Sequence, residues 1–114
     1  MNSLQNTVNL IGRVGINPVI REFTNGVKLA KFSLATNETI YDPNGKTVKT
    51  QWHNIVAWGR KAELIEKYVK KGQLVAVEGK LINKVLQDLN GKKTKVTQIQ
   101  VEEILLINQQ RKGA

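Results

Sequence analysis

"TQWHNIVAWG", residues 50–59, carries both tryptophans of a chain with six aromatic residues: Phe23, Phe32, Tyr41, Trp52, Trp58 and Tyr68. The run reads as a β-strand, and Trp52 and Trp58 stand an even number of positions apart in it. Side chains alternate faces along a strand, so both indoles leave one side of the sheet. On the opposite parity lie His53, Ile55 and Ala57, of which Ile55 and Ala57 suit a small barrel interior. Trp52 shares its face with polar Thr50 and Asn54, which a core does not favour, and with Val56. Large apolar side chains are ordinarily buried. Here the pattern predicts instead that at least one indole is exposed as a flat platform.

Upstream, "DPNG" at 42–45 is a strong turn signal: Pro43 presets φ and Asn44-Gly45 tolerate positive φ. Before it, "GVKLAKFSLATNETI" places Ala30, Phe32 and Leu34 on one parity, so 27–58 reads as one long β-hairpin. "NTVNLIGRVG" predicts a first strand with Val8, Leu10 and Ile11, interrupted by Gly12 and Gly15. In "RKAELIEKYVKKG", Ala62, Ile65 and Val69 recur at helical spacing with Leu64 and Tyr68 alongside. Glu63–Lys67 and Glu66–Lys70 are i,i+4 pairs; Lys70 and Lys71 suit the helix end and Gly72 its C′ position. "LVAVEGKLINKVLQDL", the turn "NGKK" and "TKVTQIQVEEILLI" give a second long hairpin, with Gly79 marking a bulge or bend.

Five strands with one short helix between the third and fourth is the order of an all-β OB-fold, a Greek-key barrel with long hairpin arms. A sheet with one packed helix and no closure has the same elements; the inserted glycines favour closure. The reading assigns residues 1–107 to a single domain and 108–114 to a short loose tail.

Lysine and arginine number 18 against 9 acidic residues, a formal net charge of +9, which suggests a polyanionic partner. With no cysteine and one histidine, disulfides and thiolate or multi-histidine metal sites are excluded. No signal peptide is visible, and no apolar run approaches the roughly 20 residues of a membrane span, so a cytoplasmic protein is expected. The one short helix has a basic face broken by Glu63 and Glu66, which argues against a membrane role. His53 has no nucleophile or orienting partner nearby in sequence, the carboxylates are scattered, and no phosphate-cradling glycine loop is present. Neither catalysis nor a cofactor is expected, and a strand histidine of this kind fits a packed or interface role.

Lys80, Lys84 and Leu86 share a strand parity; Lys46 and Lys49 lie near one hairpin tip, and Lys92, Lys93 and Lys95 crowd the other. Arg60 and Lys61 follow Trp58 closely. Mixed with Tyr41, Trp52 and Trp58, this charge describes a groove that tracks phosphates while aromatic faces stack unpaired bases. A duplex hides its base faces, so the expected partner is single-stranded.

"NTVNLIGRVGINPVIREFTNG", "KFSLATNE", "TQWHNIVAWGRKAE", "YVKKGQLVAVEGKL" and "DLNGKK" resemble, in order, the bacterial single-stranded DNA-binding protein family, over about residues 4–107. The resemblance implies an OB-fold assembling as a homotetramer, and sequence-tolerant binding of single-stranded DNA in replication, recombination and repair. By position it implies stacking for Trp52 and Trp58, the latter where a phenylalanine is usual. It makes Arg60, Lys71 and Lys84 DNA-accompanying basic residues. It puts His53 at a subunit interface, with Asn6 and Val8 on the first-strand segment where subunits also pair. Two further family tryptophans align with Ile40 and Leu86, so two platforms are lost. Tyr41 adjoins the first but on the other parity, and replaces it only where the strand bulges or ends.

The family's acidic, partner-recruiting tip has no counterpart in the closing "QQRKGA": the chain is either truncated or a short member, and tail-mediated partners are not carried over. A dimeric primosomal replication factor of the same fold and an OB-fold protein-interaction module remain alternatives. RNA stays open as well, because stacking and phosphate contacts do not read the 2′-hydroxyl.

Overall fold

The computed structural model describes residues 4–107, so the expected tail at 108–114 lies outside the described residues. Its elements are β1 (Val8–Val14), β2 (Val19–Glu22), β3 (Lys28–Asp42), β4 (Gly45–Trp58), α1 (Arg60–Tyr68), β5 (Leu74–Gln87) and β6 (Lys93–Leu106). Pro43 and Asn44 form the loop between β3 and β4. The Asp42 carboxylate accepts a 2.9 Å hydrogen bond from the Asn44 N–H, and Gly45 alone takes the positive φ, at 125°. From that turn the two strands pair without a slip, from Asp42↔Gly45 to Leu29↔Trp58. The alternation therefore survives intact: Ala30, Phe32, Leu34, Ile55 and Ala57 all point inward and are buried.

Closure follows from four further pairings. β1 runs antiparallel to β5 from Val8↔Gly79 to Arg13↔Leu74 and reaches β3 at Arg13↔Ala35 and Val14↔Leu34. β6 pairs along β5 and meets β4 in parallel at Ile55↔Ile99 and Val56↔Gln100. The ring β1–β5–β6–β4–β3 is the expected five-stranded OB-fold barrel, and the open-sheet alternative falls. β2 is an addition outside the ring, paired only with Lys28–Lys31 of β3. It escapes the sequence reading because four residues are too few to display an alternation. At Gly79 the β5–β6 register shifts, as expected of a bulge, and a Cβ there would collide with the Gln100 backbone oxygen.

α1 packs against β3, β4 and β6, and buries Ala62 and Ile65, with Val69 just beyond its end. It is shorter than its periodicity suggests. Val69 turns extended (φ −95°, ψ 129°) and buries its side chain in the core. Lys70 and Lys71 thus fall outside the helix, and Gly72, at φ 89°, serves a later turn in which its N–H donates to the Val14 carbonyl at 2.7 Å. Leu64 and Tyr68 stay exposed. Glu66 reaches across to Lys28 on β3 at 2.8 Å rather than along the helix to Lys70.

That carboxylate, by hydrogen bond and by charge, holds the Lys28 ammonium above the usual lysine range. Its contribution is complete below the unfolded lysine value and disappears as pH rises through the raised folded one. Exposed ion pairs of this kind stabilise little, so the helix is held by its apolar side. In urea unfolding at neutral pH, Ile65→Ala is expected to cost about 2–5 kcal/mol. Glu66→Gln should leave the midpoint close to that of the parent.

Candidate nucleic-acid interface

With Ile55 and Ala57 fixed inside, Trp52 and Trp58 must leave the outer surface of β4, and they do, at 62% and 45% exposure. The register carries this face across the neighbouring strands. Arg21, Leu29 and Trp58 form one row over β2, β3 and β4. Val19, Lys31, Val56, Gln100 and Lys80 form the next, continuing over β6 and β5. Arg13, Ala35 and Trp52 form a third, over β1, β3 and β4.

Between these rows and the β5–β6 arm runs a groove. Val56 is only 4% exposed although it faces outward, so it forms the floor. Leu29, Lys31 and Trp58 line one side and Ile82, Lys84 and Gln98 the other, around a recess of about 300 Å³. A second recess of about 370 Å³ continues from Lys31, Val56 and Gln98 to Ile16, Val19 and Val96. An apolar floor with ammonium groups along its sides can hold base faces below and phosphates above.

Each indole has its own seat. Trp58 packs on Phe23 with ring centroids 5.7 Å apart and planes at 38°, and the Arg21 guanidinium lies 5.0 Å from the Phe23 centroid. The six-membered ring of Trp52 lies over Gly15, where a Cβ would collide with its Cζ3 and with Ser33 Oγ.

The register brings Lys80, Lys84 and Leu86 onto the face of Trp52 and Trp58. Tyr41 joins them: the β3–β4 ladder is unbroken to the turn, so Tyr41, opposite Lys46, shares the tryptophan face, and it is Ile40 that points away. No bulge is needed, contrary to the sequence expectation. Lys49 is not brought in; it pairs with Glu38 on the reverse of the arm. Arg60 opens α1 in solvent, and Lys71 sits in the turn after it, its N–H donating to Asn17 Oδ1 at 2.8 Å.

Among the residues expected at an interface, Asn6 makes two hydrogen bonds to the Leu81 backbone, at 2.9 and 3.1 Å, prolonging the β1–β5 ladder. Val8 packs against the core, and half-buried His53 holds Thr36 Oγ1 through Nε2 at 2.9 Å. Sequence reasoning missed Arg21, Phe23 and Lys31. Arg21 and Phe23 lie in and just past the four-residue strand β2, which is too short for alternation to mark them.

A closed five-stranded barrel, its helix between the third and fourth ring strands and its hairpins prolonged into arms, defines an OB-fold protein. More narrowly, the chain belongs to the single-strand binding protein family, whose model it matches over residues 5–107. It is 44% identical over 87 residues to the single-stranded DNA-binding protein of Neisseria meningitidis serogroup A, covering 75% of this chain and 50% of that one. To the protein of that name from Bacteroides thetaiotaomicron it is 39% identical over 106 residues, 90% of this chain and 66% of the other. Among solved structures it is similar to the Plasmodium falciparum SSB complex with ssDNA, at a TM-score of 0.85 and 36% identity. That match covers 95% of this chain and 98% of the other. The chain spans between half and two thirds of the length of these two curated relatives.

The seat under Trp52 makes a direct test. With Trp58→Phe leaving one reporter, Gly15→Ala should push the Trp52 ring outward and shift its emission to the red. Unchanged emission would mean that the ring does not rest on Gly15.

Proposed function

We propose that this protein binds single-stranded DNA without strong sequence preference, coating and protecting unwound strands during replication, recombination and repair. The observation that carries the reading is the single outer face that bears two exposed indoles, one of which, Trp58, lines an apolar groove edged by Lys31 and Lys84. Trp52, Trp58 and Tyr41 supply stacking surfaces. Lys31, Lys80 and Lys84 neutralise phosphates along the groove, Arg60 and Lys71 at its approaches, and Leu86 offers apolar contact on the arm. Lys49, on the reverse of its arm, is reached only by a strand that wraps around it. The role is binding, with no catalytic step assigned, and its place is the cytoplasmic nucleoid.

The test is a titration of tryptophan emission with a single-stranded oligonucleotide and with duplex of equal length, at two salt concentrations. Quenching by the single strand alone, weakening as salt rises, is the expected result. Trp52→Ala and Trp58→Ala should each cost about 5- to 150-fold in affinity, the range for one lost base stack. Lys84→Ala should reduce the slope of log K against log salt by about 0.7. Absence of binding at moderate salt would favour a protein-interaction module instead.

The reading includes a homotetramer, with a dimer as the lesser assembly. Three features support it. The edge of β1 from Val8 to Gly12 has no strand partner on the side away from β5 among the described residues. His53 and Thr36 sit where β1 and β3 diverge, beside that edge. Ile11, Ala76 and Leu105 also form an outward apolar row over β1, β5 and β6, with Ile11 62% and Leu105 66% exposed. Light scattering should give the mass of four chains, and Leu105→Glu should lower it. A monomeric parent protein would overturn the assembly and leave the DNA reading to its own test.

A further inference from the structure

Phe23 lies outside the strands that build the barrel, yet its backbone is held firmly. Its N–H donates to the Val27 carbonyl at 2.9 Å, and its own carbonyl accepts from Gly26 at 2.8 Å. Asn25 Oδ1 takes the Val27 N–H at 3.1 Å, and Gly26 turns the chain at φ 87°. The β2–β3 hairpin is thereby closed by main-chain and Asn25 contacts that do not involve the phenyl ring.

The ring itself is aimed at Trp58, with Arg21 on it as well. Beneath them, Leu29 faces outward between Arg21 and Trp58 in the register but is only 7% exposed. The phenyl ring therefore limits where the indole can lie, while Trp58 keeps nearly half its surface open.

We infer that Phe23 is a positioning residue for single-strand binding: its ring braces the Trp58 indole in the orientation that receives a base. The inference rests on the single-strand reading given above. A free tryptophan on a strand surface has two side-chain torsions to fix when a base stacks on it. One already held against Phe23 has less to lose, so more of the stacking energy appears as affinity. Phe23 carries no charge, so its contribution is independent of salt. It acts through Trp58, so it vanishes when Trp58 is absent.

The experiment is a double-mutant cycle with oligo(dT) as the probe, read by fluorescence anisotropy at two salt concentrations. An aromatic pair predicts that Phe23→Ala weakens binding about 2- to 10-fold at both salts with the salt slope unchanged. In a Trp58→Ala background the same substitution should have no effect, and Phe23→Tyr should restore most of the affinity. With Trp52→Phe leaving Trp58 as the only reporter, Phe23→Ala should alter its emission before any DNA is added. Should Phe23→Ala fail to fold, Phe23→Leu keeps an apolar side chain at the position and takes its place.

A loss that persists in the Trp58→Ala background overturns the inference, because Phe23 would then touch DNA itself. Unchanged affinity in Phe23→Ala overturns it equally. Failure of the parent protein to bind oligo(dT) at all is a different result, and refutes the single-strand reading beneath it.

Discussion

The antiparallel pairing of β3 with β4 is the constraint on which the rest of the molecule depends. Its register is constant from the Pro43–Asn44 turn to Leu29↔Trp58, so every side chain on both strands is assigned a face by the turn alone. A slip of one residue would exchange the faces. Ile55 and Ala57 would then leave the interior, and both indoles would enter a barrel lined by Val14, Ala30, Phe32, Leu34 and Val75. Ala30 and Ala57 pair directly in that interior, where two large rings have no room. Burial of the small residues and exposure of the large ones are one and the same fact. The face that carries the indoles thus follows from packing the core.

The face so produced divides its chemistry sensibly. Rigid elements are placed where orientation matters: indoles on a central strand, one braced by Phe23, the other over Gly15. Lysines stand at the sides, where a long flexible stem can follow a phosphate that moves. Val56 between the indoles is nearly sealed against water, which gives the groove an apolar floor. The arms, with isoleucine at 40 and leucine at 86, still carry apolar surface on this side, since Leu86 lies on the groove face and Tyr41 joins it near the β3–β4 turn. The arms thus carry chiefly charge, and the exposed indoles belong to the barrel end of β4.

What could be read from the chain alone was whatever local periodicity encodes. The outward indoles, inward Ile55 and Ala57, the two long hairpins and the bend at Gly79 all follow from alternation and turn chemistry. Features set by distant contacts were not legible. β2 exists because β3 offers it an edge, and its four residues carry no pattern of their own. The helix ends early because Val69 is drawn into the core, and Glu66 turns to Lys28, 38 positions away, instead of to its helical neighbour. Tyr41 was misplaced for a different reason. Alignment sets its parity against position 40, whereas the physical reference is the ladder that ties it to Lys46 and so to Trp52. The same ladder sets Lys49 opposite Glu38 on the reverse of the arm, which its nearness to the hairpin tip does not reveal.

The β5–β6 pair shows why a barrel this small can have two outer faces of different character. Along β5 the outward parity runs unbroken from Ala76 through Glu78 and Lys80 to Ile82 and Lys84, but the surroundings change halfway. On β6 Leu105 and Glu103 face outward opposite Ala76 and Glu78, and beyond the shifted register Gln100 and Gln98 do. One residue, Glu102, is absorbed between them, so both strands keep their pleat while the ribbon bends. Before the bend the ribbon presents the Ile11–Ala76–Leu105 row, and after it Ile82 and Lys84 face the groove. A bulge is often treated as local irregularity. Here, Gly79 and the extra residue opposite it let one continuous hairpin supply apolar surface suited to subunit contact at one end and a basic arm at the other. Replacing Gly79 would therefore disturb both faces at once, because a Cβ there meets the Gln100 backbone and opposes the bend on which their separation depends.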